Sequence, residues 1–442
     1  MQNDMTQDKK TPTTASGSAD APRAATERDP AKIEAKLLML DRLIDWPTSL
    51  TSREDLNKAL SDGRQMRIKF GVDITARTLH IGHAVNLRAI RHLQDLGHKV
   101  VFMLGGFTTL VGDPTGKVVA RVAQDRDEVE ENKRAFIDQI KSIIRFDIPD
   151  RIEIRDNTEW WGTPEKHGRI TVGHLFELLR TITVTNLLSR DMFRERMKKL
   201  DPIYASEFLY PVLQGYDSVE MQSDLTIVGT DQMFNEKMAW EFQEASGQVK
   251  QAVFCTKITP GLDGRDKQSK SLGNYVGLAF SPQEKFNSTM LLLDGLVSQW
   301  FEVYTEADPR QISEWKTDFG ADPVALKKRL AFCIVELFHG REEAEKAESE
   351  FDSRKFKKKV PSVIGAKSVN PEDTVRKALM TALGRKAGDI RDAISNNALN
   401  LITKVNDDGS YEEEKLDMVK ISAMKAKGAL IRWGKNGFYR FE

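Results

Sequence analysis

"MRIKFGVDITARTLHIGHAVNLRAIRHLQDLGHKVVFMLGG", Met66–Gly106, decides the architecture of this 442-residue chain. Its first seven residues alternate as a strand does, and Asp73-Ile74-Thr75 leaves that strand for a loop. Leu87, Ile90 and Leu93 then recur at spacing three, which predicts a helix with Gly97 as its C-terminal cap. "KVVFMLGG" reads as a second, continuously apolar strand ending in glycines. Strand, helix and strand within about forty residues make a βαβ unit, which implies a parallel sheet and a right-handed crossover.

The same stretch holds four of the seven histidines, and two of them, His80 and His83, enclose Gly82 just before the predicted helix. Ligands of a doubly wound sheet bind outside the carboxyl ends of its strands. A helix N-terminus there offers free N–H groups and the positive end of a dipole, which suits an anion. Two imidazoles can donate to phosphate oxygens, and Gly82 lets a flat base approach the backbone. A metal site would need a third ligand, and His92, His98, His167, His174 and His339 are scattered. Two histidines that merely fill surface are a third reading, and this stretch alone leaves it open.

Working outward, the composition is that of an ordinary globular protein, 40% hydrophobic and 30% charged. Lys+Arg and Asp+Glu both total 66, so no overall positive field advertises a polyanion, although local basic patches are compatible with that balance. Two cysteines, Cys255 and Cys333, are too few for a disulfide framework or a cysteine-rich zinc site and fit a reducing compartment. No apolar run approaches the roughly 20 residues that span a bilayer, and the first thirty or so residues lack a signal-like apolar core. The expectation is a soluble, cytoplasmic, multidomain protein with no membrane partner and a disordered tail over residues 1–30.

Helical spacing begins at "AKIEAKLLMLDRLIDW", "RIEIRDN" reads as a third strand, and "DLTIVGTDQ" as a later one running into the loop at Gly229. Residues from about 160 to 208 read as a helical insertion between two halves of one sheet. After Asn274 the chain turns helical and charged, and "SRKFKKKVPSVIGAKSVNPED" has linker composition. "YPVLQGYD" places Tyr210, Gln214 and Asp217 on one face of a helix that we expect Pro211 to begin.

Far downstream, "DGRDKQSKSLGNYVG", Asp263–Gly277, sets Lys267, Ser269, Lys270 and Ser271 in a glycine-flanked loop too polar for a core. By itself it is a solvated turn. Paired with "HIGH", it resembles the second signature motif of the class I aminoacyl-tRNA synthetases. "FGVDITARTLHIGH", "GDPTGK", "EFLYPVLQGYDSV", "GTDQMFN" and "LDGRDKQSKSLGNYVGL" occur in order. Together they resemble the tyrosyl-tRNA synthetase family, in its bacterial form with a lysine ahead of the first-strand glycine.

That resemblance implies an α/β fold: a Rossmann-like parallel-sheet nucleotide-binding domain at 31–278, an α-helical anticodon-binding domain at 279–352, a linker at 353–368 and a small α+β S4-like RNA-binding module at 369–442. It implies activation of tyrosine with Mg²⁺-bound ATP, transfer to tRNA, no tightly held protein metal, and a homodimer formed through the insertion. His80, His83, Lys117, Arg121, Lys267 and Lys270 would carry the catalysis. Thr75, Gly82, Ser269 and Ser271 would join the histidines and lysines around ATP. Asp73, Asp113, Tyr210, Gln214, Asp217 and Gln232 would bind tyrosine. Such a reaction needs positioning and charge stabilisation on phosphate rather than a protein nucleophile.

Three positions depart from the family pattern. Ile74 stands for a proline and is expected to loosen the loop before "HIGH". Gln268 stands for a methionine and should alter packing of the lysine loop. Thr109 stands for a glycine and should narrow the amino-acid pocket or change the backbone. The tail, with 14 Lys and Arg against 11 Asp and Glu from Ala366 onward, is only weakly basic for an RNA binder. A paralogue that adenylates tyrosine or an analogue for another acceptor, and a non-catalytic RNA-binding homologue, are the competing readings.

Overall fold

A computed structural model of the chain describes residues 26–74, 78–112, 126–163, 167–269, 272–319 and 322–357. From the tail it describes 365–367, 377, 379–380, 390, 393, 399–405, 411–415, 430–433 and 437–441. The expectations for residues 1–25, Thr75, Asp113, Lys117, Arg121, Lys270 and Ser271 lie outside the described residues.

Helix α1 (Pro30–Leu43) starts at the Asp29 cap, whose carboxylate accepts from the Ala31 N–H, and buries Ile33, Leu37, Leu40 and Leu43 at helical spacing. After α2 (Arg53–Ser61) come β1 (Arg67–Val72), α3 (Ile81–Asp95) and β2 (Lys99–Leu104), the βαβ unit expected from the sequence. β1 and β2 pair in parallel from Arg67 opposite Lys99 to Val72 opposite Leu104. Gly97 adopts φ +103° at the end of α3, a conformation that favours glycine.

The chain continues through α4 (Gly106–Val111), α5 (Arg126–Ile140) and β3 (Ile152–Asp156). Four helices then interrupt the alternation: α6 (Thr158–Trp161), α7 (Val172–Arg180), α8 (Val184–Leu188) and α9 (Asp191–Lys199). They are followed by α10 (Ala205–Glu220), β4 (Leu225–Val228), α11 (Met233–Ala245) and β5 (Ala252–Cys255). The sheet order is β3-β2-β1-β4-β5 with every pairing parallel, so the strand order reverses at β1.

Pro211 does not begin a helix. It lies inside α10, which starts at Ala205 because Glu207 turns back to accept from the Tyr204 N–H at 2.9 Å. Pro211 has no N–H to offer the preceding turn, and it is buried against its neighbours.

Beyond the sheet lie α12 (Pro282–Thr289), α13 (Val297–Tyr304), α14 (Pro309–Asp318), α15 (Pro323–His339) and α16 (Arg341–Lys357). Two buried or half-buried arginines fasten this helical part to the sheet domain. Arg42 from α1 donates to the carbonyls of Phe301, Thr305 and Ala307, and Arg88 from α3 to those of Val303 and Thr305. These are the orphan carbonyls at the C-terminus of α13, where a cation also meets the negative end of the helix dipole. Parts of the segment with linker composition form regular structure. α16 runs through its first residues, and Gly365–Lys367 form β6, which pairs in parallel with β10 (Gly437–Phe441). With β7 (Leu399–Val405), β8 (Tyr411–Lys415) and β9 (Leu430–Trp433) they make a second sheet of order β6-β10-β9-β7-β8.

Candidate active site

The four histidines of the opening stretch divide into two pairs. His92 and His98 are buried, and burial first of all pushes their rings down to about 3 and about 4, so both are neutral packing groups. His98 Nδ1 accepts from the Met66 N–H at 3.1 Å. His80 and His83 sit at the start of α3 with ring centres 3.8 Å apart. His83 Nδ1 accepts from the His80 N–H at 3.2 Å, which leaves Nε2 to carry the ring proton as a donor. A Cβ at Gly82 would lie 2.8 Å from His80 Nδ1, so only glycine lets the ring fold over the helix start. Among the described residues no group of three metal-ligating side chains forms.

The two signature segments are joined by backbone. Ile81 N–H donates to Val276, and Leu278 N–H donates to Leu79, at 2.9 and 2.8 Å. Lys267 is exposed, and Ser269 N–H is held by Asn274 Oδ1 at 2.8 Å. Gln268, one of the three departures, is buried and anchors the loop. Its Nε2 donates to Tyr304 of α13 at 2.8 Å, and its Oε1 accepts from the Val276 N–H at 3.2 Å.

The other two departures prove to be partners. The Ile74 N–H, a donor that proline would lack, bonds Thr109 Oγ1 at 2.9 Å, and Ile74 is fully buried. At Ile74 itself the threonine hydroxyl stands in for what the proline ring would have fixed; the loop residues that follow, 75–77, lie outside the described residues. Next to it, Asp73 accepts from Thr108 Oγ1 at 2.7 Å and from the Tyr210 hydroxyl at 2.9 Å.

A cavity of about 290 Å³ opens at the carboxyl ends of β1 and β4, beside the strand-order reversal. Asp73, His83, Tyr210, Gln214, Asp217 and Gln232 all line it, which brings one of the expected ATP groups to the expected amino-acid groups. Asp217 is completely buried at its wall. Its Oδ1 accepts from the indoles of Trp160 and Trp161 at 2.8 and 2.9 Å, and its Oδ2 from Asn157 at 3.3 Å. Burial raises this carboxyl to about 6, against the indole bonds and the Lys69 charge, which lower it.

Several residues carry no assignment from sequence reasoning: Lys69 and Glu236, which line the cavity, and Asn157, Trp160, Trp161 and Asn235, which bond to residues that line it. A signal existed for Lys69 alone, a lysine within a strand flanked on both sides by other strands, where both faces are buried. Lys69 and Glu236 form an ion pair at 2.7 Å, 3% and 1% exposed.

A family model described as tRNA synthetases class I (W and Y) matches residues 61–354. A tyrosine–tRNA ligase of Nitrosospira multiformis is 39% identical over 309 residues, 70% of this chain and 74% of that protein. A tyrosine–tRNA ligase of Trichormus variabilis is 34% identical over 393 residues, 88% of this chain and 93% of that protein. Among solved structures, the C-terminally truncated mitochondrial tyrosyl-tRNA synthetase of Aspergillus nidulans superposes with a TM-score of 0.57 at 22% identity, covering 73% of this chain and 96% of that one. The tyrosyl-tRNA synthetase of Archaeoglobus fulgidus complexed with L-tyrosine gives 0.52 at 19%, covering 72% and 99%. These superpositions show a shared fold. With its motifs joined as described and the match running through two thirds of its length, the chain belongs to the class I tRNA synthetases of the tryptophan and tyrosine type.

Proposed function

We propose that this enzyme is a tyrosine–tRNA ligase that forms tyrosyl-adenylate and pyrophosphate from tyrosine and ATP, then passes tyrosine to the 3′ end of its tRNA. The observation that carries the tyrosine assignment is Asp217, a buried carboxylate at the cavity wall held by two indoles and an amide. The phenol hydroxyl of tyrosine donates to it. Phenylalanine would leave it short of a partner, and tyrosyl enzymes are themselves the usual illustration of that rule. Gln214, Gln232, Tyr210 and Asp73 form the part of the cavity that receives the amino group, joined by Asp113 from outside the described residues.

The tyrosine carboxylate attacks the α-phosphate of ATP, which enters with its Mg²⁺ as a substrate complex. His83 Nε2 and His80 donate to phosphate, with Thr75 adding a hydroxyl and Gly82 admitting the base. Lys267 and Lys270, with Ser269 and Ser271 in the same loop, balance the charge on departing pyrophosphate, together with Lys117 and Arg121. Residues 279–352 and 369–442 serve tRNA as an anticodon-binding helical domain and an S4-like module.

The protein acts as a cytoplasmic homodimer. The insertion supports this, since Val172, Phe176, Val184 and Leu200 are between 60% and 90% exposed around α7, α8 and α9. Among the described residues, no helix is long and apolar enough to cross a membrane.

Tyrosine-dependent ATP–pyrophosphate exchange, followed by charging of total tRNA on the same preparation, tests the reading. Exchange with charging is the expected result. Exchange without charging would move the acceptor away from tRNA, and silence in both would remove the catalytic assignment.

A further inference from the structure

The ion pair under the cavity has a function that its burial alone does not require. Lys69 Nζ spends its three protons on Ser218 Oγ at 2.6 Å and on the two Glu236 oxygens at 2.7 and 3.0 Å. It lines the cavity, yet it has no proton left for a ligand. Glu236 is equally full. Oε1 accepts from Lys69 and from Gln214 Nε2 at 2.9 Å, and Oε2 from Lys69 and from Gln251 Nε2 at 2.7 Å. A carboxylate that only accepts dictates which end of each neighbouring amide faces it, so Gln214 must present nitrogen to Glu236.

The opposite end of that amide is fixed as well. Asn235 Nδ2 donates to Gln214 Oε1 at 2.7 Å and to Gln232 Oε1 at 3.0 Å, so both carbonyl oxygens converge on one amide. The Gln214 oxygen keeps a second lone pair for another donor. If the Gln214 amide turned over, its NH₂ group would confront the Asn235 donor and also an incoming ammonium. An ordered run therefore reaches from β1 through α11 to the two glutamines on the cavity wall: Lys69, Glu236, Gln214, Asn235, Gln232.

We propose that Glu236, clamped by Lys69, is a positioning residue that holds the Gln214 amide oxygen, which Asn235 fixes from the other side, ready to accept from the amino group of the amino-acid substrate. This rests on the assignment of the cavity to tyrosine. Glu236 lines the cavity, but both its oxygens are taken by Lys69, Gln214 and Gln251, so its effect passes through the Gln214 amide. Preorganised acceptors need no rearrangement on binding, which favours the substrate's ammonium over a neutral or absent amino group.

The deciding experiment separates positioning from mere support of the core, using the full-length protein. Removing one charge strands the other, whereas replacing a buried pair by apolar residues of similar volume is commonly tolerated. The double variant Lys69→Met/Glu236→Leu is therefore expected to fold with a Tm above that of either single variant, lowered from the parent's by the loss of the Gln251 and Ser218 bonds. Its tyrosine KM in ATP–pyrophosphate exchange should still rise about tenfold or more, because the Gln214 amide has lost the group that orients it. The KM for ATP should stay within about twofold. Recovery of Tm and of tyrosine KM together would overturn the proposal and leave the pair a core element only. Asn235→Asp, close in volume, reads the same amides from their other end by replacing a donor with an acceptor. It leaves the ion pair in place and decides the matter if the double variant does not fold. A tyrosine KM within twofold of the parent's in Asn235→Asp would overturn the proposal, and a comparable tenfold rise would support it. A parent enzyme with no tyrosine-dependent exchange would defeat the tyrosine assignment itself. A normal parent with unaffected variants would defeat only the role given to Glu236.

Discussion

The cavity proposed to take tyrosine and the segments proposed to handle phosphate sit at the same end of the sheet, but they are built on opposite principles. In the cavity the ionised groups are sealed. Asp217, Glu236 and Lys69 are 0%, 1% and 3% exposed, and each makes three or more hydrogen bonds. Around "HIGH" and the lysine loop, His83 and Lys267 are exposed and the order comes from backbone pairing of Leu79 and Ile81 with Val276 and Leu278. Discriminating a phenol needs a desolvated acceptor that cannot substitute water for the missing hydroxyl. Stabilising a charge that appears during reaction needs cations able to follow it. On the proposed function, selection is stored in the buried region and charge compensation in the accessible one.

The two regions should therefore fail differently when damaged. Lys267→Ala should lower kcat for exchange by roughly 10²–10³-fold while tyrosine KM stays within about threefold, checked by steady-state exchange kinetics. A large rise in tyrosine KM would erase the division. Tyr304→Phe leaves the Gln268 amide without its hydroxyl partner and lets the lysine loop drift, so kcat should fall about tenfold with tyrosine binding intact. Equilibrium dialysis of tyrosine beside exchange rates measures both quantities.

Thr109→Val sharpens the comparison from the cavity side, because it strands the buried Ile74 N–H beside Asp73. A loss of about 1–3 kcal/mol is expected in chemical denaturation. Combining it with Ile74→Pro removes the stranded donor, so the pair should be less than additive. The smallest effect concerns pH. Burial holds the Asp217 carboxyl at about 6 instead of its ordinary 3.8. Tyrosine KM should therefore rise about fourfold between pH 7.5 and 5.5 as the carboxylate takes its proton, with ATP KM followed in parallel as the control. Because the native state binds the extra proton, the stability contributed by this group falls as pH rises from about 4 to about 6.

How far the sequence revealed all this depended on whether the cause was local. β1, α3 and β2 were legible because periodicity and the Gly97 cap act within a few residues. β5, only "AVFC" long, gives no period to read. The start of α10 differs from the expectation because Pro211 suits a first helical turn by its chemistry, whereas Glu207 capping Tyr204 starts the helix about a turn and a half earlier. In the site, the signature residues stood out as motifs, but their supports did not. Glu236 meets Lys69 across 167 positions, and Trp160 meets Asp217 across 57. The partnership of Ile74 with Thr109 was also hidden, since each departs from the family pattern separately and only the fold sets the hydroxyl against the N–H.

Asp217→Ala tests the central claim most directly, with KM for tyrosine and for ATP measured in exchange and phenylalanine assayed as the competing substrate. The division between a sealed selective cavity and an open phosphate site predicts a rise of roughly a hundredfold in tyrosine KM, a collapse of the preference over phenylalanine, and an ATP KM within about threefold. Equal losses for tyrosine and ATP, or an unchanged preference for tyrosine, would contradict it.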